Sequence, residues 1–132
     1  MAHILIIDDD PTVLKLIATI LAKAGHTITS CSSGSAALKT LGVISSDSEP
    51  EPPDIIILDI MMPKMDGYSI GRAIRDAPRT RGIPLIIVSA LQEMSRLFTA
   101  TVEVQGFIHK PFSPEELIAE VGRVLKSSRT AD

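Results

Sequence analysis

Several polar residues stand directly after short apolar runs. Asp8 and Asp9 follow H-I-L-I-I, Asp59 follows I-I-I-L, Ser89 follows L-I-I-V, and Lys110 follows G-F-I-H. If each run is a strand of one sheet, these residues meet at one edge of it. Three carboxylates in one crevice repel, and at ~4 Å and an effective dielectric near 20 each like pair costs about 4 kcal/mol. Either their pKa values rise or a cation sits among them. Oxygen ligands with neither His nor Cys beside them select a hard ion, Mg²⁺. An ammonium and a hydroxyl complete a set suited to phosphoryl transfer, which needs charge neutralised over the equatorial oxygens and a nucleophile held in line. A carboxylate can be that nucleophile and form an aspartyl-phosphate. Asp59, between the acidic pair and Lys110, is the candidate. Taken singly, each residue has a plainer reading. A strand-end acid often only caps the next helix, which is the reading for Asp10 before Pro11. Lys110 alone reads as a solvated surface residue, and Ser89 alone as a cap. Their joint placement at four strand ends favours a site.

The elements that must carry them are legible as alternating apolar runs and helix-period segments. His3 to Ile7 reads as a strand, followed by a helix from Pro11 with Val13, Leu16, Ile17, Ile20 and Ala24 as its apolar stripe and Gly25 as its stop. His26 to Cys31 reads as a second strand, and Ser35 to about Ile44 as a second helix with Ala37, Leu38 and Leu41 inward. The stretch S-S-D-S-E-P-E-P-P at 45–53 reads as a mobile, solvated loop. Asp54 to Asp59 and Pro84 to Ser89 are strands apolar on both faces, as central parallel strands are. Helices are expected over Gly67–Asp76 and Glu93–Val104, and a short fifth strand over Gly106–His109. Ser113-Pro114-Glu115-Glu116 starts a last helix with Leu117, Val121, Val124 and Leu125 inward. Five strands each followed by a helix give an α/β fold with a parallel sheet covered on both faces. The expected form is a doubly wound, flavodoxin-like three-layer sandwich of strand order 2-1-3-4-5, its site at the carboxyl ends of strands one and three.

Composition bounds the rest. At 132 residues, the chain is one domain, expected over 1–126 with a polar tail at 127–132. Thirteen basic against sixteen acidic residues give −3, with the basic ones spread singly, which disfavours a nucleic-acid surface. A single cysteine, Cys31, excludes a disulfide framework and cysteine-based zinc sites, and reads as a small buried apolar residue. No apolar run can span a bilayer, and no signal peptide is legible, so a cytoplasmic location is expected.

The segments I-L-I-I-D-D-D-P at 4–11, I-I-I-L-D-I-M-M-P-K-M-D-G at 55–67, I-I-V-S-A at 86–90 and F-I-H-K-P-F at 107–112 resemble the receiver domain of bacterial response regulators, over nearly the whole chain. The resemblance implies roles residue by residue. Asp59 would be the phosphoacceptor, taking a phosphoryl group from a sensor histidine kinase or a histidine phosphotransfer protein. Mg²⁺ would be bound by Asp9, Asp59 and the backbone carbonyl of Met61, with Asp8 acting mainly through water. Lys110 would contact the phosphoryl group and Ser89 would hydrogen-bond it. Phe107 matches the aromatic switch position. Pro63 and Gly67 would shape the loop after Asp59, and the bond before Pro111 would be cis. The surface of the fourth helix, fifth strand and fifth helix would control a downstream protein or output domain, with homodimerisation on phosphorylation an open expectation. The chain would be a signalling domain rather than an enzyme, assisting only its own phosphorylation and dephosphorylation. Phe98 and Phe112 read as core packing.

Three features depart from that pattern: the long connector before Asp54, V-E-V-Q-G-F ahead of Ile108, and the absence of a hydroxyl on Phe107. Met61 and Leu91, two residues beyond Asp59 and Ser89, are expected to flank the phosphoryl site and hinder attacking water. Rival readings have distinct signatures. A degenerate receiver, working as a phosphorylation-independent interaction module, would lack part of the acidic pair, Asp59 or Lys110. A dehalogenase-like phosphatase needs a second acid two residues after its nucleophile, where this chain has Met61. A flavin binder needs a first loop that attracts phosphate, where this chain has Asp8-Asp9-Asp10.

Overall fold

The computed structural model describes residues 2–42, 52–60, 67–90, 96, 98–100 and 102–130. Its elements are β1 (His3–Ile7), α1 (Pro11–Lys23), β2 (Thr27–Cys31), α2 (Gly34–Thr40), β3 (Ile55–Asp59), α3 (Gly67–Asp76), β4 (Leu85–Ser89), β5 (Gly106–His109) and α4 (Pro114–Thr130). All strand pairs are parallel, in the expected order β2-β1-β3-β4-β5. The crossover between β4 and β5 is also helical at Arg96, Phe98 and Thr99.

Strand alternation divides the core in two. Leu5 and Ile7, Ile56 and Leu58, and Leu85 and Ile87 face α2, α3 and Phe98. Ile4 and Ile6, Ile55 and Ile57, and Ile86 and Val88 face α1 and α4, where Ile17, Leu21, Leu117, Val121 and Val124 meet them. Every residue of β3 and β4 is buried, which explains their unbroken apolar runs. Cys31 is buried at the end of β2, as expected.

Local chemistry sets the helix ends. The Asp10 carboxylate accepts from the Thr12 N–H and caps α1, with Pro11 beside the cap. Ser33 caps α2. Ser113 and Glu116 exchange hydrogen bonds at the start of α4, a reciprocal capping box. Gly25 ends the α1 turn at φ 101°.

Several expectations need correction. Leu16 does not belong to the buried stripe of α1 but is 51% exposed. The stripe centres on Ile17 and Leu21, and Leu16 lies about 100° of helical turn to one side. Helix α2 stops at Thr40 and Leu41–Gly42 form a turn, with residues 43–44 outside the described set. The helix expected through Val104 is finished before Val102, since Val102–Val104 are irregular. Here the Glu103 carbonyl is taken by Arg75, and Gln105 already pairs with Leu85 as the chain enters β5. Helix α4 runs through Thr130, into the polar tail expected from 127. The loop at 45–53 lies outside the described residues except for Pro52 and Pro53.

Arg75, at the end of α3, is a junction that local patterning does not reveal. Its guanidinium donates to the carbonyls of Glu103 (2.9 Å), Arg81 (2.8 Å) and Ile83 (2.7 Å) and to Oε1 of Gln105 (2.8 Å). The same Gln105 oxygen accepts from the Leu85 N–H. One side chain thus ties α3 to the entrances of β4 and β5. Arg75→Met leaves three carbonyls without these donors, and we expect it to lower stability by about 3 kcal/mol. The check is urea unfolding: a lower midpoint at unchanged slope. Loss below half a kilocalorie would show that water replaces the guanidinium.

Candidate functional site

The register brings the expected residues together. Ile7 is paired with Leu58, so Asp8 and Asp59 follow side by side on β1 and β3. Asp59 pairs with Val88, and Ser89 with His109, so the ends of β4 and β5 continue the same edge. The Lys110 N–H donates to the Ser89 carbonyl, and the Lys110–Pro111 bond is cis as expected.

The carboxyl of Asp59 is nearly fully buried and Oδ2 accepts from Nζ of Lys110 at 2.7 Å. Lys110 is itself partly covered, so this ion pair is poorly screened. Ser89 is fully buried. Asp8 is buried too. Its Oδ1 accepts from the Asp10 N–H at 2.9 Å, and Oδ2 has no hydrogen-bond partner among the described residues. Burial pushes the Asp8 carboxyl up to about 7 from an ordinary 3.8, with the neighbouring Asp59 raising it further and the Asp10 N–H and Lys110 opposing. A proton held here would bridge the two carboxyls. Asp9 is partly exposed beside them, and Met61 lies outside the described residues, as do Pro63 and Leu91. Gly67 lets α3 begin against the end of β3: a Cβ there would stand 2.9 Å from the Ile60 Cα.

Among the described residues no group of three or more His, Cys, Asp or Glu side chains could hold a metal ion. The described carboxyls at this edge are the buried Asp8 and Asp59, with Asp9 partly exposed next to Asp8 in the chain. A buried oxygen without a partner and a carboxyl driven towards neutrality by burial and a like charge are the marks of a pocket that a cation would relieve. Two carboxylates also fit Mg²⁺, which keeps several waters and takes few protein oxygens.

At the far edge, Phe107 is 39% exposed and stacks on His109 with ring planes 3° apart. Its N–H donates to Oε2 of Glu120, and Arg123 bonds both Glu120 and the Gln105 carbonyl. Phe98 is buried and Phe112 packs against the core, as expected for both. The sequence reading missed Arg75, Glu120 and Arg123. Their only signal is a charged residue in each helix at a position turned towards the β5 junction.

A parallel sheet of order 2-1-3-4-5, with buried paired carboxylates and a lysine on one of them at its carboxyl edge, defines a flavodoxin-like receiver module. The family model for the response regulator receiver domain matches residues 4–122, and the chain belongs to that family. It is 36% identical over 126 residues to the response regulator SaeR of Staphylococcus epidermidis, covering 95% of this chain and 51% of that protein. The chain thus spans about half the length of the curated relatives it matches. Among solved structures it is similar to chemotaxis protein CheY4 of Vibrio cholerae, with TM-score 0.80, 26% identity, and coverage of 94% of this chain and 98% of that one. It is also similar to the signal receiver domain of a signal transduction histidine kinase from Syntrophus aciditrophicus, with TM-score 0.80, 30% identity, and coverage of 96% and 92%. Among the described residues no helix is long and apolar enough to cross a membrane.

Proposed function

We propose that this receiver domain is a working phosphoacceptor whose nucleophile is Asp59. The observation that carries the reading is the buried Asp59 carboxylate held at 2.7 Å by Lys110, with Asp8 and Ser89 at neighbouring strand ends. The donor is a phosphohistidine on a sensor kinase or a histidine phosphotransfer protein in the cytoplasm. A carboxylate oxygen of Asp59 attacks phosphorus. The P–N bond to the donor breaks, and its electron pair leaves on the imidazole nitrogen. The Lys110 ammonium neutralises charge gathering on the equatorial oxygens. Asp9, Asp59 and the Met61 carbonyl would hold Mg²⁺, with Asp8 acting through water, and the ion would add positive charge there.

The new group carries charge near −2 and three acceptor oxygens. Ser89 and Lys110 interact more strongly with it than with the bare carboxylate, which biases a two-state equilibrium. The response reaches a downstream protein or output domain through the surface of Phe107 on β5, α4 and the helical residues near Phe98. Mixing the protein with acetyl phosphate and Mg²⁺ and measuring intact mass tests this. We expect gain of one phosphoryl group in the wild type and none in Asp59→Asn or without metal. No gain from acetyl phosphate or from a cognate kinase would favour the degenerate, phosphorylation-independent module.

A further inference from the structure

The helix α3 grips the β4–β5 crossover at two points one helical turn apart. The first is Gly71. A Cβ built there would stand 2.6 Å from Cζ of Phe98 and 3.3 Å from Cγ1 of Val102. The Phe98 ring therefore fills the space any other residue would occupy, and Tyr68, one turn earlier, meets it edge-on at 6.3 Å. The second point is Arg75, with its bonds to the Glu103 carbonyl and Gln105. The two points differ in kind. The Arg75 point is held by charge-assisted hydrogen bonds to groups that lose their donor if it moves. The Gly71 point is an apolar contact with no polar group to orphan. A force on the crossover therefore parts the first before the second.

We propose that Gly71 is a notch that seats Phe98 in the resting state, and that the switch at Asp59 acts by unseating Phe98 while Arg75 holds the entrance of β5 as a fixed pivot. This rests on the phosphoacceptor reading. Ser89, the group that would follow the phosphoryl oxygens, ends β4, and the chain leaving it leads to Phe98. Asp59 ends β3, and the chain leaving it leads to α3, which carries the notch. Both strands thus feed the same contact.

The chain provides its own reporter. It has one tyrosine, Tyr68, and no tryptophan, so biosynthetic 3-fluorotyrosine gives one protein ¹⁹F resonance, beside Phe98. Beryllofluoride with Mg²⁺ serves as the acyl-phosphate mimic, its binding followed by calorimetry. We expect the Tyr68 resonance to move on binding. In Gly71→Ala the notch is filled, so the metal-free resonance should already lie towards the bound position, and beryllofluoride should bind about fivefold more tightly by linkage. Phe98→Leu, which leaves the backbone of α3 untouched, should shift both readouts the same way. Circular dichroism checks that each variant is folded. Wild-type binding heat with an unmoved Tyr68 resonance, or variant affinities within twofold of wild type, would overturn the notch and leave the phosphoacceptor reading intact. Absence of binding heat in the wild type would overturn both.

Discussion

Asp8→Asn should make the metal-free protein more stable at pH 8, by about 2–4 kcal/mol, and should abolish the stabilisation that Mg²⁺ gives the wild type. The direction follows from the proton. The Asp8 carboxyl rises to about 7 in the folded protein against 3.8 as its ordinary value. Between those two pH values the native state holds a proton that the unfolded chain has released. Native stability therefore falls as pH rises through that window, and levels off above about 7. At about 1.4 kcal/mol per unit, the difference bounds the effect near 4 kcal/mol. An asparagine keeps an oxygen for the Asp10 N–H but carries no charge, so it removes the loss. Wild type and variant should differ least near pH 4 and most above pH 7. Urea unfolding at pH 5 and pH 8, with and without Mg²⁺, decides the matter. Parallel pH dependence in the two proteins would show that Asp8 is ionised at no cost in the fold.

Lys110→Met should have the opposite sign on stability and a large effect on chemistry. It strips the 2.7 Å ammonium partner from Oδ2 of a carboxylate that is 3% exposed. Breaking a buried pair from one side costs roughly 3–5 kcal/mol, and the partial exposure of Lys110 reduces this to about 2 kcal/mol. It also removes the positive charge that holds the Asp8 carboxyl down. Phosphoryl uptake from acetyl phosphate should slow by about 10²–10³-fold, the magnitude seen when one preorganised charge donor is lost. A double variant isolates the pair. Adding Asp59→Asn removes the charge that Lys110 balances, so stability should recover to within a few tenths of a kilocalorie of Asp59→Asn alone. An additive loss would mean that Lys110 contributes through its aliphatic stem rather than its charge.

Most of the fold was readable because the strands are short, apolar and followed by caps. The unbroken runs in β3 and β4 announced burial on both faces, and strand order followed from right-handed crossovers. The core of the site was readable for the same reason: Asp8, Asp59, Ser89 and Lys110 each sit where a strand run stops. Repulsion among the acids was also foreseeable, but the leading role of burial in raising Asp8 was not, since burial is a property of the assembled edge. Leu16 was misplaced because periodicity fixes a stripe only to within a residue or so. The helix expected to reach Val104 stops before Val102, and the Glu103 carbonyl beyond its end is held by a long-range bond from Arg75. That contact joins residues 28 apart and leaves no local pattern.

The division of the core into two layers has a bearing on recognition. Phe98 and Val102 belong to one layer, and Leu117, Val121 and Val124 to the other. These residues are buried, one set beneath each face of the sheet, whose last strand is β5. A protein lying across that edge would meet the outer coverings of both layers at once, so its fit would depend on the position of one layer against the other.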